Sequence, residues 1–164
     1  MANALFVLNI FWKLTFFIYL CQKIRNMTKI YIAAYKEFND YATLKKICDF
    51  FLQNLNKNDI LFYVSNGELG DKTCMKYVRN NGYNYIDWLP QKKGKNRSEE
   101  KLRYIMDSDH AILITNGNSK GIEIAIRYSC KYINKFVVVR TQCNDLQIYK
   151  NMELYRNKNI NELH

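Results

Sequence analysis

Two glycine-bearing loops carry the residue types that could bind a phosphate group. The first spans residues 65–71 (SNGELGD) and the second residues 115–121 (TNGNSKG); each follows an apolar run and precedes a segment of helical period. Glycine lets the backbone turn sharply, and the free N–H groups at a helix start attract an anion. One such loop alone is equally typical of a tight connection that binds nothing. Two such loops together predict an anion-binding site.

The elements that must position these loops alternate between strands and helices. Short apolar runs predict five strands, at residues 29–34, 60–64, 84–89, 111–115 and 136–140. Apolar residues that recur every three or four positions predict helices at 41–55, 72–80, 98–106 and 120–132. This order predicts an α/β fold, Rossmann-like, with an open, mostly parallel five-stranded sheet and helices on both faces.

Ligands of such sheets bind outside the carboxyl ends of the strands, where the strand order reverses. Four loops lie at these predicted ends: residues 33–38, residues 65–71, a basic loop that ends at Arg97, and residues 116–121. They offer small residues for close backbone approach, hydroxyl groups, cations and an aromatic ring. The ligand-binding candidates are Ala34, Tyr35, Lys36, Phe38, Ser65, Asn66, Gly67, Gly70, Asp71, Arg97, Gly117, Ser119, Lys120 and Gly121.

Composition narrows the class of protein. The chain has 164 residues, 48% of them hydrophobic, which is enough for one well-buried core. Its net charge of +10 favours an anionic partner, although a coding bias toward lysine and asparagine would give the same excess. Five widely spaced cysteines without a C-x-x-C pair predict reduced thiols in a cytosolic or nucleoplasmic setting, and the predicted localisation is cytoplasmic. With only two histidines, no metal site is expected, and no other cofactor is predicted.

Residues 5–21 (LFVLNIFWKLTFFIYLC) form an apolar segment that Asn9, Lys13 and Thr15 interrupt. Three interpretations stay open: a disordered or non-native extension ahead of a working start at Met27, a membrane anchor, or a helix that binds a partner. The cations that follow the segment would keep an anchored domain on the cytoplasmic side. The predicted organisation is an extension at 1–26, one domain at 27–141 and a charged tail at 142–164.

Three motifs occur in one order along the chain. They are I-A-x-x-x-x-F from residue 32, V-S-x-G-x-x-G from residue 64 and D-x-A-I-x-x-x-x-G-x-S-x-G from residue 109. Over residues 29–140 the chain therefore resembles the SLOG superfamily of Rossmann-like nucleotide-binding proteins, most closely its YspA-like branch. The resemblance implies a doubly wound α/β domain that binds a nucleotide or a nucleotide-derived ligand. The relatives include LOG-related phosphoribohydrolases and predicted ligand sensors.

The resemblance implies roles for single positions in the first two loops. Ala34, Tyr35 and Lys36 stand where relatives carry Gly-Ser-Arg, so a ring replaces a small hydroxyl and a lysine replaces the planar guanidinium of arginine. Asn66 stands at the first glycine of the second loop, and the turn can survive this change because asparagine tolerates a left-handed backbone better than other non-glycine residues. Asp71 lies one place ahead of the family's acidic residue.

The third and fourth loops supply the expected phosphate contacts. Arg97 is the expected phosphate cation, although Asn96 and Arg97 reverse the Arg-Asn order of the relatives. Gly117, Ser119 and Gly121 match Gly-x-Ser-x-Gly, but the threonine that usually follows is missing. The backbone N–H groups at this helix start are still expected to bind an anion.

Two functions are compatible with the resemblance. The favoured prediction is a binding module that recognises a nucleotide without turnover. The alternative is an N-glycosidic-bond enzyme, either a nucleoside monophosphate phosphoribohydrolase or a nucleoside deoxyribosyltransferase-like protein. The Pro-Gly-Gly-x-Gly-Thr-x-x-Glu segment of the hydrolases is missing, so Glu123, one residue short of that glutamate, and Asp109 are only weak catalytic candidates.

The expected partner is a small nucleotide-like molecule. No nucleic-acid-binding motif is found, a homodimer is left open, and membrane attachment is expected only through residues 5–21.

Overall fold

The computed structural model describes residues 26–88, 96–133 and 135–141, together with Phe17, Ile18 and Gln22. Of residues 96–98 it describes the backbone alone. The predictions for the tail at 142–164, for loop residues 89–95 and for nearly all of the apolar segment at 5–21 lie outside these residues. Within them, no helix is both long enough and apolar enough to cross a membrane.

Five parallel strands form one open sheet. In chain order they are β1 (Thr28–Ala34), β2 (Ile60–Val64), β3 (Asn84–Asp87), β4 (His110–Thr115) and β5 (Lys135–Arg140). Their spatial order is β3-β2-β1-β4-β5, and each neighbouring pair is parallel. Parallel neighbours need crossover connections, which helices supply here. The result is a Rossmann-like α/β fold, so the predicted fold class is confirmed.

Four helices connect the strands. They are α1 (Tyr41–Leu52), α2 (Leu69–Asn80), α3 (Asn96–Met106) and α4 (Lys120–Tyr132), and a short 3-10 turn at Lys57–Asp59 precedes β2. Helix α1 begins where the Asp40 carboxylate accepts a hydrogen bond from the backbone N–H of Thr43, at 3.0 Å. This bond satisfies one of the free donors at the helix start. Hydrogen bonds from Thr43 also lower the pKa of Asp40, because they favour the ionised form.

The helices cover both faces of the sheet. Successive strand residues point to opposite faces, so Ile30 and Ile32 lie in one buried cluster while Tyr31 and Ala33 lie in the other. Helices α1 and α2 complete the first cluster, and α3 and α4 complete the second. Because both faces of β1, β2, β4 and β5 are largely buried, these strands form nearly continuous apolar runs, which made them recognisable in the sequence. The residues of β3 are exposed.

Helix α2 begins earlier than the sequence indicated. The N–H of Lys72 donates to the carbonyl of Glu68 at 2.9 Å and closes a helical turn upstream of the predicted start. Gly70 and Asp71 therefore belong to the first turn of a helix, which shortens the loop after β2. The predicted end of α1 at residue 55 was late, since the helix ends at Leu52.

Candidate functional site

A cleft lies at the carboxyl end of β1. All the strands are parallel, so their carboxyl ends lie at one edge of the sheet, and β2 and β4 flank β1 on opposite sides. The strand order therefore reverses at β1. The cleft there has a volume of about 370 Å³. Open parallel sheets bind their ligands at this position.

The first wall of the cleft comes from the loop after β1 and the start of α2. Lys36, Glu68 and Asp71 line it. The N–H of Gly70 donates to the carbonyl of Lys36 at 3.1 Å and ties the two segments together. A β-carbon on Gly70 would lie 2.1 Å from the carbonyl oxygen of Tyr35, so glycine permits this close approach. The wall presents an ammonium group and two carboxylates.

The second wall comes from α3 and the start of α4. Lys101, Ser119 and Gly121 line it, and the Lys101 ammonium donates to the carbonyl of Gly121 at 3.2 Å. Ser119 precedes α4, and its side chain makes no capping hydrogen bond. The backbone N–H groups of Lys120 and Gly121 have no acceptor in the described part of the chain. Free donors and the positive end of the helix dipole therefore lie at this wall.

The floor of the cleft is apolar and aromatic. Its residues are Tyr31, Ala33, Ala34, Trp88 and Ile122. Trp88 is 6% exposed, and its ring stacks on Tyr31 and Tyr104 with centroids 5.9 and 5.6 Å apart. An apolar floor below polar walls suits a ligand that combines a ring with polar or charged groups.

Several predicted binding residues meet in this cleft. They are Ala34, Lys36, Asp71, Ser119 and Gly121. Gly117 shapes the loop before α4 instead, because its φ of 80° is left-handed and its N–H donates to Thr115 Oγ1 at 2.9 Å. Lys120 is exposed, and it contributes its backbone N–H to the second wall.

Ser65, Asn66 and Gly67, the three residues that directly follow β2, do not line the cleft. Ser65 is buried, and its hydroxyl accepts a hydrogen bond from the N–H of Gly67 at 3.3 Å. Among the described residues, the left-handed ones are Gly82 and Gly117, so the turn after β2 does not use the left-handed backbone that Asn66 would tolerate.

Tyr35 and Phe38 lie in a separate hollow. Their rings meet edge to face with centroids 5.6 Å apart, and Asn116 and Thr141 line the same hollow of about 470 Å³. The Thr141 hydroxyl donates to the Tyr35 hydroxyl at 3.4 Å. Tyr35 therefore neither stacks on the floor of the cleft nor blocks it.

Helix α3 provides a cation that the sequence interpretation did not select. The side chain of Arg97 lies outside the described residues, whereas Lys101 lines the cleft. Arg97 and Lys101 are four residues apart, and residues at this spacing share a helix face. The spacing of these two basic residues in α3 was therefore a sequence signal for Lys101. Glu68 and Trp88 were also not selected, although both lie at the carboxyl edge that the strand pattern had marked.

The two catalytic candidates both make contacts that stabilise the fold. The Thr115 hydroxyl donates to Glu123 Oε1 at 3.0 Å, which ties α4 to the end of β4. Asp109 precedes β4 at the amino edge of the sheet, where its carboxylate accepts a hydrogen bond from the backbone N–H of Lys29 at 2.8 Å. The structure thus places Asp109 at the edge opposite the cleft. Nowhere in the described ranges do three His, Cys, Asp or Glu residues gather as metal ligands.

A polar contact joins the end of α3 to two strands. The Asp107 carboxylate accepts hydrogen bonds from the Lys29 ammonium at 2.9 and 3.0 Å and from the Tyr63 hydroxyl. Burial would raise the pKa of Asp107, but the hydrogen bonds from Tyr63 and Lys29 and the lysine charge lower it. Burial, followed by the bond to Asp107, raises the pKa of Tyr63.

The fold and the cleft together define the chain as a Rossmann-like α/β protein with a candidate ligand site at its strand switch point. No protein-family model matches the chain, and no curated protein is significantly similar to it.

Proposed function

We propose that this chain binds a nucleotide or a nucleotide-derived ligand in the cleft at the end of β1. The start of α4 carries the proposal, because the free N–H groups of Lys120 and Gly121 lie beside the ammonium of Lys101. Backbone donors at a helix N-terminus, together with a cation, suit a phosphate group. Lys36 adds a second ammonium group on the first wall.

The remainder of the cleft supports the same ligand class. Glu68 and Asp71 offer carboxylate oxygens that accept hydrogen bonds from sugar hydroxyls. The aromatic floor offers an apolar surface to a base. Since the motifs that resemble the SLOG superfamily fall mainly in loops at this edge, membership of that family is part of the proposal.

Binding is tested with the full chain by native mass spectrometry and thermal unfolding against nucleoside monophosphates and cyclic nucleotides. A ligand at 100 times its Kd is expected to raise the free energy of unfolding by about 2.7 kcal/mol. If every nucleotide gives neither a bound mass nor a gain in stability, the proposal is wrong.

The Lys101→Ala variant tests the phosphate contact. Loss of a hydrogen bond to a charged group is expected to weaken binding by about 1.5 to 3 kcal/mol, measured by calorimetric titration. Lys46→Ala is the matched control, because Lys46 is exposed on α1 and does not line the cleft. Equal affinities of the two variants would remove Lys101 from the site.

A glycosidic-bond enzyme is the second candidate, and the carboxylates of Glu68 and Asp71 in one cleft favour it. Glycosidic cleavage commonly uses two carboxylates, one as an acid and the other as a nucleophile or base. If this candidate is right, the chain releases free base from nucleoside monophosphates or 2′-deoxynucleosides, and Glu68→Gln slows the release. Bound nucleotide that stays intact would leave the binding module as the function.

A further inference from the structure

The hydroxyl of Thr115 makes two hydrogen bonds where β4 ends. Thr115 is the last residue of β4 and is fully buried. Its Oγ1 accepts from the backbone N–H of Gly117 at 2.9 Å and donates to Glu123 Oε1 at 3.0 Å. A carboxylate only accepts hydrogen bonds, so the single proton of the hydroxyl points to Glu123 and a lone pair is left for Gly117. This side chain therefore joins the strand both to the loop that follows it and to the first turn of α4.

The loop between β4 and α4 is held by side chains that bind its N–H groups. Besides the bond from Gly117 to Thr115, the N–H of Asn118 donates to the side-chain oxygen of Asn116 at 3.0 Å. The N–H groups of Lys120 and Gly121 follow directly, and they have no acceptor among the described residues. How this loop is held therefore decides where those two N–H groups lie at the second wall of the cleft.

We infer that Thr115 and Glu123 are positioning residues, whose hydrogen bond holds the N–H groups at the start of α4 where the phosphate of the ligand binds. Neither side chain is among the described residues that line the cleft, so both act on the ligand through the loop. Backbone donors bind an anion best when they are fixed beforehand, because ordering a loose loop costs free energy. The inference rests on the proposed function and adds the contact that fixes its phosphate-binding geometry.

The charge of Glu123 and its hydrogen bond act on phosphate binding in opposite directions. Glu123 lies in the first turn of α4, where a carboxylate competes with a bound anion for the positive end of the helix dipole. Its charge alone therefore weakens phosphate binding, whereas its bond to Thr115 strengthens binding by fixing the loop. Because the two effects have opposite signs, substitutions that remove one or both of them can tell them apart.

The inference is tested with Thr115→Val in the full chain, which keeps the branched shape of the side chain and removes the hydroxyl. Calorimetric titration uses the nucleoside 5′-monophosphates of the four common bases. Affinity for the tightest nucleotide is expected to fall about 10-fold, near the lower value of one hydrogen bond to a charged group. Thr115→Ser restores the hydroxyl and is expected to restore the affinity. Ser129→Ala is the matched control, because Ser129 is buried on α4 and does not line the cleft.

Two variants of Glu123 separate the hydrogen bond from the charge, and they test the inference even if Thr115→Val fails to fold. Glu123→Gln keeps an oxygen that accepts from Thr115 and removes the negative charge, so nucleotide affinity is expected to stay constant or to increase. Glu123→Ala removes the acceptor at a partly buried position, so affinity is expected to fall although the same charge is removed. Urea unfolding of each variant measures its stability separately from its affinity.

The outcomes separate the inference from the proposed function. Weaker binding in Thr115→Val and Glu123→Ala, with affinity kept in Thr115→Ser and Glu123→Gln, supports the inference. Variants that lower the free energy of unfolding but leave the Kd unchanged show a purely structural contact, which overturns the inference and leaves the proposed function standing. Equal losses in Glu123→Gln and Glu123→Ala also overturn it, because the charge would then be the cause. If no nucleotide binds the unaltered protein, the proposed function fails and the inference fails with it.

Discussion

At the scale of single residues, Gly70 sets how closely α2 approaches the end of β1. Gly70→Ala would place a methyl group 2.1 Å from the carbonyl oxygen of Tyr35, so one of the two segments would have to move. Overpacking of this kind costs about 1 to 3 kcal/mol. We expect the free energy of unfolding to fall by this amount in urea denaturation followed by circular dichroism.

Gly121→Ala is the control for this prediction. Among the described residues, a β-carbon on Gly121 would come within 4 Å of the Lys101 Nζ alone, at 3.9 Å, and alanine favours a helix over glycine. Stability is therefore expected to stay constant or to rise slightly. Equal losses in the two variants would contradict the role given to Gly70.

Only some residues of the candidate site could be predicted from the sequence. Lys36 and Ser119 follow strand ends closely, so their positions along the chain were enough to place them at the cleft. Ser65 also follows a strand, but its hydroxyl accepts a hydrogen bond from the N–H of Gly67 within the same turn. No sequence pattern predicts that bond. Trp88 escaped selection because its setting depends on Tyr31 and Tyr104, which are distant in the chain and meet only in the folded sheet.

At the scale of elements, the contact of Asp107 with Lys29 and Tyr63 is expected to make stability depend on pH. Folding lowers the pKa of Asp107 below its ordinary value of 3.8, so the unfolded chain takes up this proton more readily. The stabilisation is therefore complete above that value and is lost as the pH falls through the lower, folded-state pKa. For a partly exposed ion pair we expect about 0.5 to 1 kcal/mol.

The measurement compares urea unfolding of Asp107→Asn with the unaltered chain between about pH 6 and pH 2. The difference in free energy should be largest at pH 6 and should shrink toward pH 2. Glu99→Gln on the same helix is the control, because the Glu99 side chain is exposed and has neither a hydrogen-bond partner nor an ion-pair partner among the described residues. A difference that stays constant with pH would exclude the Asp107 carboxylate as its source.

The pattern of elements was predictable where burial imposed it. Strands buried on both faces gave apolar runs, and α4 has the predicted bounds, Lys120–Tyr132. The start of α2 was not predictable, because Gly67 and Gly70 are typical of a turn after a strand. The helical conformation of Leu69 and Gly70 depends on the contact between Gly70 and the loop after β1, which is a tertiary interaction.

At the scale of the whole molecule, the sheet order predicts a gradient of local stability. β1 is paired on both sides, with β2 and β4, whereas β3 is paired with β2 alone among the described strands, and all its residues are exposed. Backbone groups that open only on global unfolding exchange most slowly. Hydrogen exchange followed by mass spectrometry should therefore show slow exchange in β1 and faster exchange in β3. Equal protection of the two strands would contradict the assigned strand order.

The two walls of the cleft come from different halves of the chain. Lys36, Glu68 and Asp71 precede residue 89, whereas Lys101, Ser119 and Gly121 follow residue 95. A polypeptide cut between these points would give two fragments that each carry one wall. A compound that binds both walls would then promote reassembly of the two fragments. The chain is therefore a scaffold from which a split reporter for its ligand can be built.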